Sequence, residues 1–130
     1  MKVTHPAVNF QDARGEIKDV LVRQRIDFVT LVNSKKGAVR GHHYHKLTTQ
    51  YNYLLQGKVK FLSQMGDEPV RATILEPGDL GVTPPMEKHT MISLEDSVLL
   101  VLTNGVRGGD DYELDTYRLA EPLKDPGNSP

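Results

Sequence analysis

The sequence predicts an all-β fold, either a single barrel or a sandwich. Its apolar residues occur in short β-branched or leucine-rich runs, such as Val98 to Leu102, and lack the spacing of amphipathic helices. Glycine, proline and aspartate separate these runs and supply the backbone conformations that turns require. A chain of 130 residues has the length of one domain, so we expect one barrel with one core.

Ten strands are predicted, each a run of apolar or β-branched residues between turn-forming residues. In chain order they are residues 16–22, 27–34, 37–44, 49–56, 58–64, 70–75, 80–83, 89–93, 97–104 and 112–119. Glycine, which adopts positive φ, and proline, which fixes φ, mark the corners between them. These corners are Lys35-Lys36-Gly37, Gln56-Gly57, Met65-Gly66-Asp67, Glu76-Pro77-Gly78-Asp79 and Glu95-Asp96. We expect residues 1–121 to form the domain and residues 122–130, which have little apolar content, to be a flexible C-terminal tail.

Composition excludes several classes of function. Sixteen basic and seventeen acidic residues give a net charge of −1, and no basic block is present that could bind nucleic acid. The absence of cysteine excludes disulfides, thiolate metal sites and a cysteine nucleophile. The N-terminal segment lacks the apolar centre of a signal peptide, and the apolar runs are too short to span a bilayer. We therefore expect a soluble, cytoplasmic protein with no nucleic-acid or membrane partner.

Three histidines indicate a metal site. His43 and His45 are two residues apart on a predicted strand, so both imidazoles point to the same face. His89 begins another predicted strand. Neutral imidazole is the commonest protein metal ligand, and three imidazoles leave coordination positions for water or substrate. We expect all three rings to converge in one cavity, and we expect His42 to lie on the opposite face.

The spacing around these histidines resembles the two motifs of the cupin family. The first reads Gly37-x5-His43-x-His45-x4-Gln50-x6-Gly57, and the second reads Gly78-x5-Pro84-x-Met86-x2-His89-x3-Ser93. The resemblance covers residues 37–93 and implies a double-stranded β-helix, or jelly roll, that often dimerises through its outer strands. It also implies that His43, His45 and His89 are metal ligands and that Gln50 occupies the position of the family's glutamate.

The chain departs from the cupin motifs at three positions. Gln50 is neutral where the family has a carboxylate, so the site would bind a dication less tightly and leave it a stronger Lewis acid. Gln50 is also consistent with a role in orienting a ligand without binding the ion. Met86 replaces the usual glycine and Ser93 the usual asparagine, and we expect both changes to affect turn geometry more than ligation.

A narrower resemblance, to the sugar-nucleotide 3,4-ketoisomerases, concerns the substrate. It is carried by Asp12-Ala13-Arg14-Gly15-Glu16-Ile17, Val39-Arg40-Gly41, Lys46, Gln50, Asp110-Asp111-Tyr112 and Asp115. It implies a dTDP-4-keto-6-deoxyhexose substrate and a metal-free mechanism in which His43 and His45 act as acid and base, since histidine titrates near neutrality. Arg40 is a candidate for binding the diphosphate or the enolate oxygen. We expect Arg14, Arg40 and Asn52 to bind substrate.

These two interpretations exclude each other, because a metal on His43 and His45 would occupy the nitrogens needed for proton transfer. The sequence favours a homodimeric cupin with one divalent ion (Zn, Fe, Mn or Ni) that isomerises or epimerises a sugar or sugar nucleotide through an enediolate. An Fe(II)-dependent dioxygenase and a non-enzymatic, metal-dependent sugar-binding protein are the alternatives. Arg40 has the wrong parity to share a face with His43 unless Gly41 bends the strand.

Overall fold

A computed structural model describes residues 1–105 and 114–127 of the chain. Twelve strands and no helix are formed within these ranges. In chain order they are β1 Lys2–Thr4, β2 Phe10–Asp12, β3 Gly15–Ile17, β4 Phe28–Ser34, β5 Val39–Tyr44, β6 Thr49–Gln56, β7 Val59–Met65, β8 Arg71–Leu75, β9 Leu80–Thr83, β10 Glu87–Ser93, β11 Ser97–Asn104 and β12 Tyr117–Arg118. None of the described residues belongs to a helix with the length and apolar character needed to cross a membrane.

The strands form two antiparallel sheets that enclose one core. The first sheet has the order β1-β9-β6-β11-β4 and the second the order β12-β5-β10-β7-β8, while β2 and β3 form a separate hairpin. The core residues come from both sheets and are Leu54, Val59, Phe61, Leu75, Met91, Leu99 and Val101. This arrangement confirms the predicted all-β jelly roll.

Alternation along each strand decides which side chains enter the barrel. In β11 every second residue is buried, from Ser97 through Leu99 and Val101 to Thr103, while the residues between them are half-buried. Burying one such leucine or valine stabilises the fold by about 1.5–3 kcal/mol. On the neighbouring β6, Gln50 and Asn52 share the inward face with the core residue Leu54. Polar residues therefore continue the inner surface of the barrel beyond its apolar core.

Most strand predictions are confirmed, from residues 27–34 through 97–104, with ends that differ by at most two residues. The predicted strand over residues 16–22 is wrong beyond Ile17, because the amide of Asp19 donates to the Asn9 side chain and not to a neighbouring strand. β1 and β2 were not predicted, since three residues are too few to show alternation.

The C-terminal part of the chain is described only to residue 127. Residues 112–113 of the last predicted strand lie outside the described part. The prediction is wrong for residues 114–116 and 119, because residues 114–115 form a turn and only the short strand β12 pairs with β5. Residues 122–127 have no regular secondary structure, and Asp125 accepts a hydrogen bond from Lys60 Nζ at 2.7 Å. The single domain over residues 1–121 and the flexible tail remain predictions.

A β-bulge in β5 is the feature of the fold that matters most for the site. His43 pairs with His89 and Gly41 pairs with Thr90, so His42 is an extra residue without a partner in β10. Gly41 and His42 both have positive φ, 99° and 59° respectively. The extra residue reverses the inward and outward alternation of β5, and Arg40 consequently pairs with the inward-facing Met91.

Candidate active site

The three predicted histidines lie together inside the barrel. His43, His45 and His89 are only 6%, 4% and 5% exposed. The ring centroid of His43 is 4.8 Å from that of His45 and 4.7 Å from that of His89, and those of His45 and His89 are 5.3 Å apart. The sequence-based expectation that these imidazoles converge is therefore confirmed, while their chemical roles remain predictions.

Strand register produces this convergence. His43 on β5 and His89 on β10 are directly paired across the antiparallel ladder, with their rings edge to face. His45 follows His43 by two residues and therefore points to the same face. His42 does lie on the other face, where its Nδ1 is 2.9 Å from Thr90 Oγ1.

Main-chain carbonyl groups orient two of the rings. His45 Nδ1 is 2.7 Å from the carbonyl oxygen of Asp115, and His89 Nδ1 is 3.1 Å from that of Glu87. A carbonyl oxygen only accepts hydrogen bonds, so each Nδ1 is the donor and carries a proton. Proton transfer or metal ligation by His45 and His89 is thereby assigned to Nε2.

The donor set suits a divalent metal ion. One nitrogen from each ring can be chosen so that all three lie within 4.8 Å of one another. Tetrahedral coordination at about 2.1 Å separates ligand nitrogens by about 3.4 Å, so the rings would have to close slightly around an ion. Metal-binding histidines usually donate a hydrogen bond from the ring nitrogen that does not bind the metal. The hydrogen bonds from Nδ1 of His45 and His89 to main-chain carbonyls are of this kind. The residues present therefore fit a metal.

A cavity of about 140 Å³ opens beside the histidines. Its polar lining residues include Arg40, His43, Gln50, Asn52 and His89, and its apolar lining residues are Val32, Phe61, Met91, Leu99 and Val101. The polar side chains come from both sheets and give directional contacts to a polar ligand, while the apolar residues add hydrophobic surface. The arrangement fits a small molecule with both polar and apolar groups.

Arg40 lines the same cavity as His43 because of the bulge at Gly41. From spacing alone, Arg40 could share a face with His43 only if Gly41 bent the strand, and the bulge provides this bend. Arg40 Nε donates to Ser34 Oγ at 3.3 Å, and Ser34 in turn accepts from Ser93 Oγ at 2.8 Å. Ser93, at the position of the family's asparagine, therefore helps to hold the guanidinium group through Ser34.

Gln50 and Asn52 reach the cavity from the opposite sheet. Both are buried, at 6% and 4% exposure, and both project inward from β6. The Asn52 amide donates to the carbonyl of Gly81 at 3.0 Å, which fixes the side chain against β9. Both residues are therefore near the histidines, as their predicted roles require.

Arg14 does not line this cavity. It lies on the exposed hairpin of β2 and β3, where Arg14 Nη2 is 2.7 Å from Asp12 Oδ2. Hydrogen bonds from the Arg14 side chain and amide hold the pKa of Asp12 below its ordinary value. Substrate binding by Arg14 remains a prediction. Asp110, Asp111 and Tyr112, which contributed to the second resemblance, lie outside the described residues.

Asp115 was not predicted to belong to the site, and only its place in the second resemblance could have indicated it. Asp115 is only 3% exposed and contacts the segment that follows His45. Burial raises the pKa of Asp115, but hydrogen bonds from Leu47, Thr48 and Lys46 outweigh it, so the pKa is below its ordinary value. Asp115 is thus an ionised group next to the imidazole cluster.

Comparison with known proteins identifies relatives by fold. A family model described as a cupin domain matches residues 30–103, and a search of curated proteins gives no match. Among solved structures, a doubly mutated QdtA 3,4-ketoisomerase from Thermoanaerobacterium thermosaccharolyticum in complex with TDP is 26% identical, with a TM-score of 0.74 over 91% of this chain and 86% of that one.

Two further solved structures share the fold at lower identity. A TDP-quinovose 3,4-ketoisomerase from Campylobacter jejuni is 19% identical, with a TM-score of 0.74 over 91% of this chain and 92% of that one. A dTDP-4-dehydrorhamnose 3,5-epimerase from Sulfolobus tokodaii is 21% identical, with a TM-score of 0.68 over 82% of this chain and 71% of that one. Because the family model covers more than half of the sequence, including both histidine-bearing strands, the chain belongs to the cupin family.

Proposed function

We propose that this chain is an isomerase or epimerase that acts on a dTDP-linked 4-keto-6-deoxy sugar by proton transfer. The observation that carries the proposal is the close approach of His43 and His45, whose ring centroids are 4.8 Å apart, at a cavity that His43 and Arg40 line. Support also comes from similar structures described as 3,4-ketoisomerases and 3,5-epimerases, one of them in complex with TDP-4-keto-6-deoxyglucose.

The reaction is a movement of protons with no net change in atoms. A neutral imidazole removes the proton from the carbon next to the ketone, and the electron pair of the broken C–H bond forms an enediolate. Protonation of the former carbonyl carbon, with transfer of the hydroxyl proton on the neighbouring oxygen to the former carbonyl oxygen, moves the ketone by one position. Return of the proton to the original carbon from the opposite face gives the epimer instead. His43 and His45 are the proposed acid and base.

Arg40 is the proposed stabiliser of negative charge. Its guanidinium group is held at the cavity by Ser34 Oγ at 3.3 Å and by the carbonyl oxygen of Asn33 at 3.4 Å. These two contacts leave donors of the five-donor guanidinium group for an enediolate or diphosphate oxygen.

We propose that Asn52 binds the sugar, and that Arg14, which lies outside the cavity, contacts the nucleotide end of the substrate.

A metal-dependent function is the second candidate, favoured by the buried cluster of three imidazoles. His43, His45 and His89 would hold one divalent ion, with Gln50 assisting, and the ion would act as a Lewis acid on a carbonyl oxygen. In that case, proton transfer falls to groups other than His43 and His45. Replacement of His89 distinguishes the two candidate functions, because only the metal-dependent function requires the His89 ring.

Isotope exchange with defined substrates tests both candidates. The protein is incubated with dTDP-4-keto-6-deoxyglucose in D₂O, and NMR follows deuterium uptake and the position of the ketone, while elemental analysis measures metal content. The proposal expects deuterium uptake that His43→Asn and His45→Asn reduce by about 10²-fold or more. His89→Ala leaves most activity under the metal-free mechanism and abolishes both activity and bound metal under the metal-dependent one.

Other outcomes reject the proposal. No deuterium uptake together with oxygen consumption in the presence of Fe(II) would identify a dioxygenase. Thermal stabilisation by a dTDP-sugar that is never converted would identify a binding protein.

We further propose a homodimer formed through the outer face of the β1-β9-β6-β11-β4 sheet. β4 is at the edge of this sheet, and its outward residues Val29 and Leu31 are 66% and 60% exposed. Leu100 and Leu102 of β11 lie directly beside them in the ladder and extend the apolar strip. Exposed edge strands usually carry charge that prevents association, and the outward residues of β4 carry none. A second copy would cover this strip.

A further inference from the structure

We propose that Asp115 is a positioning residue that fixes the orientation and the tautomer of His45; this rests on the proposed function, in which His45 is part of the reacting site. The main-chain carbonyl oxygen of Asp115 accepts the hydrogen bond of His45 Nδ1 at 2.7 Å. Neither residue lines the cavity itself, but the His45 ring is 4.8 Å from that of His43, which does, and Asp115 acts through His45.

The carboxylate of Asp115 holds this carbonyl group in place. Oδ1 accepts from the Lys46 amide at 3.0 Å, and Oδ2 accepts from the Leu47 amide and from Thr48 Oγ1, both at 2.8 Å. These donors directly follow His45 in the sequence. Asp115 therefore binds the imidazole of His45 with its main-chain carbonyl group. Its carboxylate binds the backbone that follows His45, so the ring and this backbone are both held by the same residue.

This double attachment has a chemical consequence for His45. Because the carbonyl oxygen cannot donate a hydrogen bond, it keeps the proton on Nδ1 and leaves the lone pair of the neutral ring on Nε2. Three hydrogen bonds to one ionised carboxylate are strong enough to define a single backbone position. Loss of the carboxylate would free the carbonyl group, and the ring would sample both tautomers.

The test combines NMR of the histidine rings with kinetics in three variants. Asp115→Ala removes the carboxylate, and Thr48→Val removes one of its three donors with little change in shape. The matched control is Asp125→Ala, which removes another hydrogen-bonded carboxylate, one that contacts Lys60 away from the cavity. The ¹⁵N resonances of His45, assigned with His45→Gln, report which ring nitrogen is protonated. The spectra are recorded after treatment with a chelator and without substrate, because an ion on Nε2 would by itself keep the proton on Nδ1.

The expected result is one Nδ1-protonated form of His45 in the wild type and in Asp125→Ala, and loss of that single form in Asp115→Ala. We expect kcat to fall about tenfold or more in Asp115→Ala, with KM for the sugar nucleotide unchanged and a smaller fall in Thr48→Val. Unaltered His45 resonances and kcat in Asp115→Ala, or in Thr48→Val if Asp115→Ala does not fold, would overturn the proposal. A tautomer change in a protein that converts no dTDP-sugar would instead support the positioning role and reject the proposed function.

Discussion

Gly41 lies so close to the main chain of His89 that a Cβ atom at position 41 would be 2.9 Å from the His89 carbonyl oxygen and 3.3 Å from Thr90 Cα. This contact occurs at the bulge, where β5 and β10 carry the facing histidines. The close approach and the φ of 99° at Gly41 both require glycine. The bulge that directs Arg40 and His43 into one cavity therefore depends on the absence of a side chain.

Gly41→Ala is expected to reduce the free energy of unfolding by about 2–3 kcal/mol and to impair ligand binding, because strain and a main-chain contact act together. Urea unfolding provides the measurement. Gly37→Ala is the matched control, since Gly37 also has positive φ but no atom within 4 Å of the added Cβ. We expect the control to lose only about 1 kcal/mol. Equal losses in the two variants would show that the contact with His89 is unimportant.

The jelly roll was predictable because long strands such as β4, β6 and β11 alternate and most turns carry glycine or proline. The grouping of the three histidines followed from a two-residue spacing and from motif distances, which constrain register. The inward direction of Arg40 did not follow from spacing, because a bulge adds one residue and reverses the parity of β5. Asp115 could not be placed because its role depends on its main-chain carbonyl group, which is the same in every residue type.

Met86→Gly is expected to give a more stable protein than Met86→Ala, by about 1 kcal/mol. Met86 has a φ of 72°, a conformation that is costly for a residue with a Cβ atom and that suits the glycine of the cupin motif. Both variants lose the half-exposed methionine side chain, so their difference isolates the backbone strain. Thermal unfolding of the pair measures it. A more stable Met86→Ala would mean that the backbone relaxes without cost.

Gln50→Glu is expected to raise the affinity for a divalent ion about tenfold or more, since a buried carboxylate adds an anionic ligand next to the three imidazoles. Calorimetric titration with Zn²⁺ or Mn²⁺ gives the dissociation constants. Asn52→Asp is the control, because Asn52 is equally buried and lines the same cavity but does not occupy the motif position. If the two substitutions strengthen binding equally, Gln50 does not occupy the ligand position.

Asp79 is expected to make the fold more sensitive to acid. Burial raises its pKa, but the Glu76 amide and His5 outweigh this effect, so the folded-state pKa lies below the ordinary value of 3.8. Its carboxylate therefore stabilises the fold above about pH 4, and this contribution disappears as the pH falls through the folded-state pKa. Asp79→Asn should lower the free energy of unfolding at pH 7 more than at pH 3, as measured in urea. A loss of the same size at pH 7 and at pH 3 would contradict this prediction.

The apolar strip on β4 leads to a prediction about assembly. Leu31→Lys places a charge at the centre of the strip formed with Val29, Leu100 and Leu102, and in a two-fold dimer it would do so in both copies. Light scattering after size exclusion should give twice the chain mass of 14.5 kDa for the wild type and the single mass for the variant.

Ile74→Lys is the matched control, because Ile74 is 42% exposed on β8, at the edge of the other sheet. It should remain dimeric. A wild-type protein that is monomeric at micromolar concentration would reject the proposed dimer, and dissociation by Ile74→Lys but not by Leu31→Lys would place the interface on the opposite sheet.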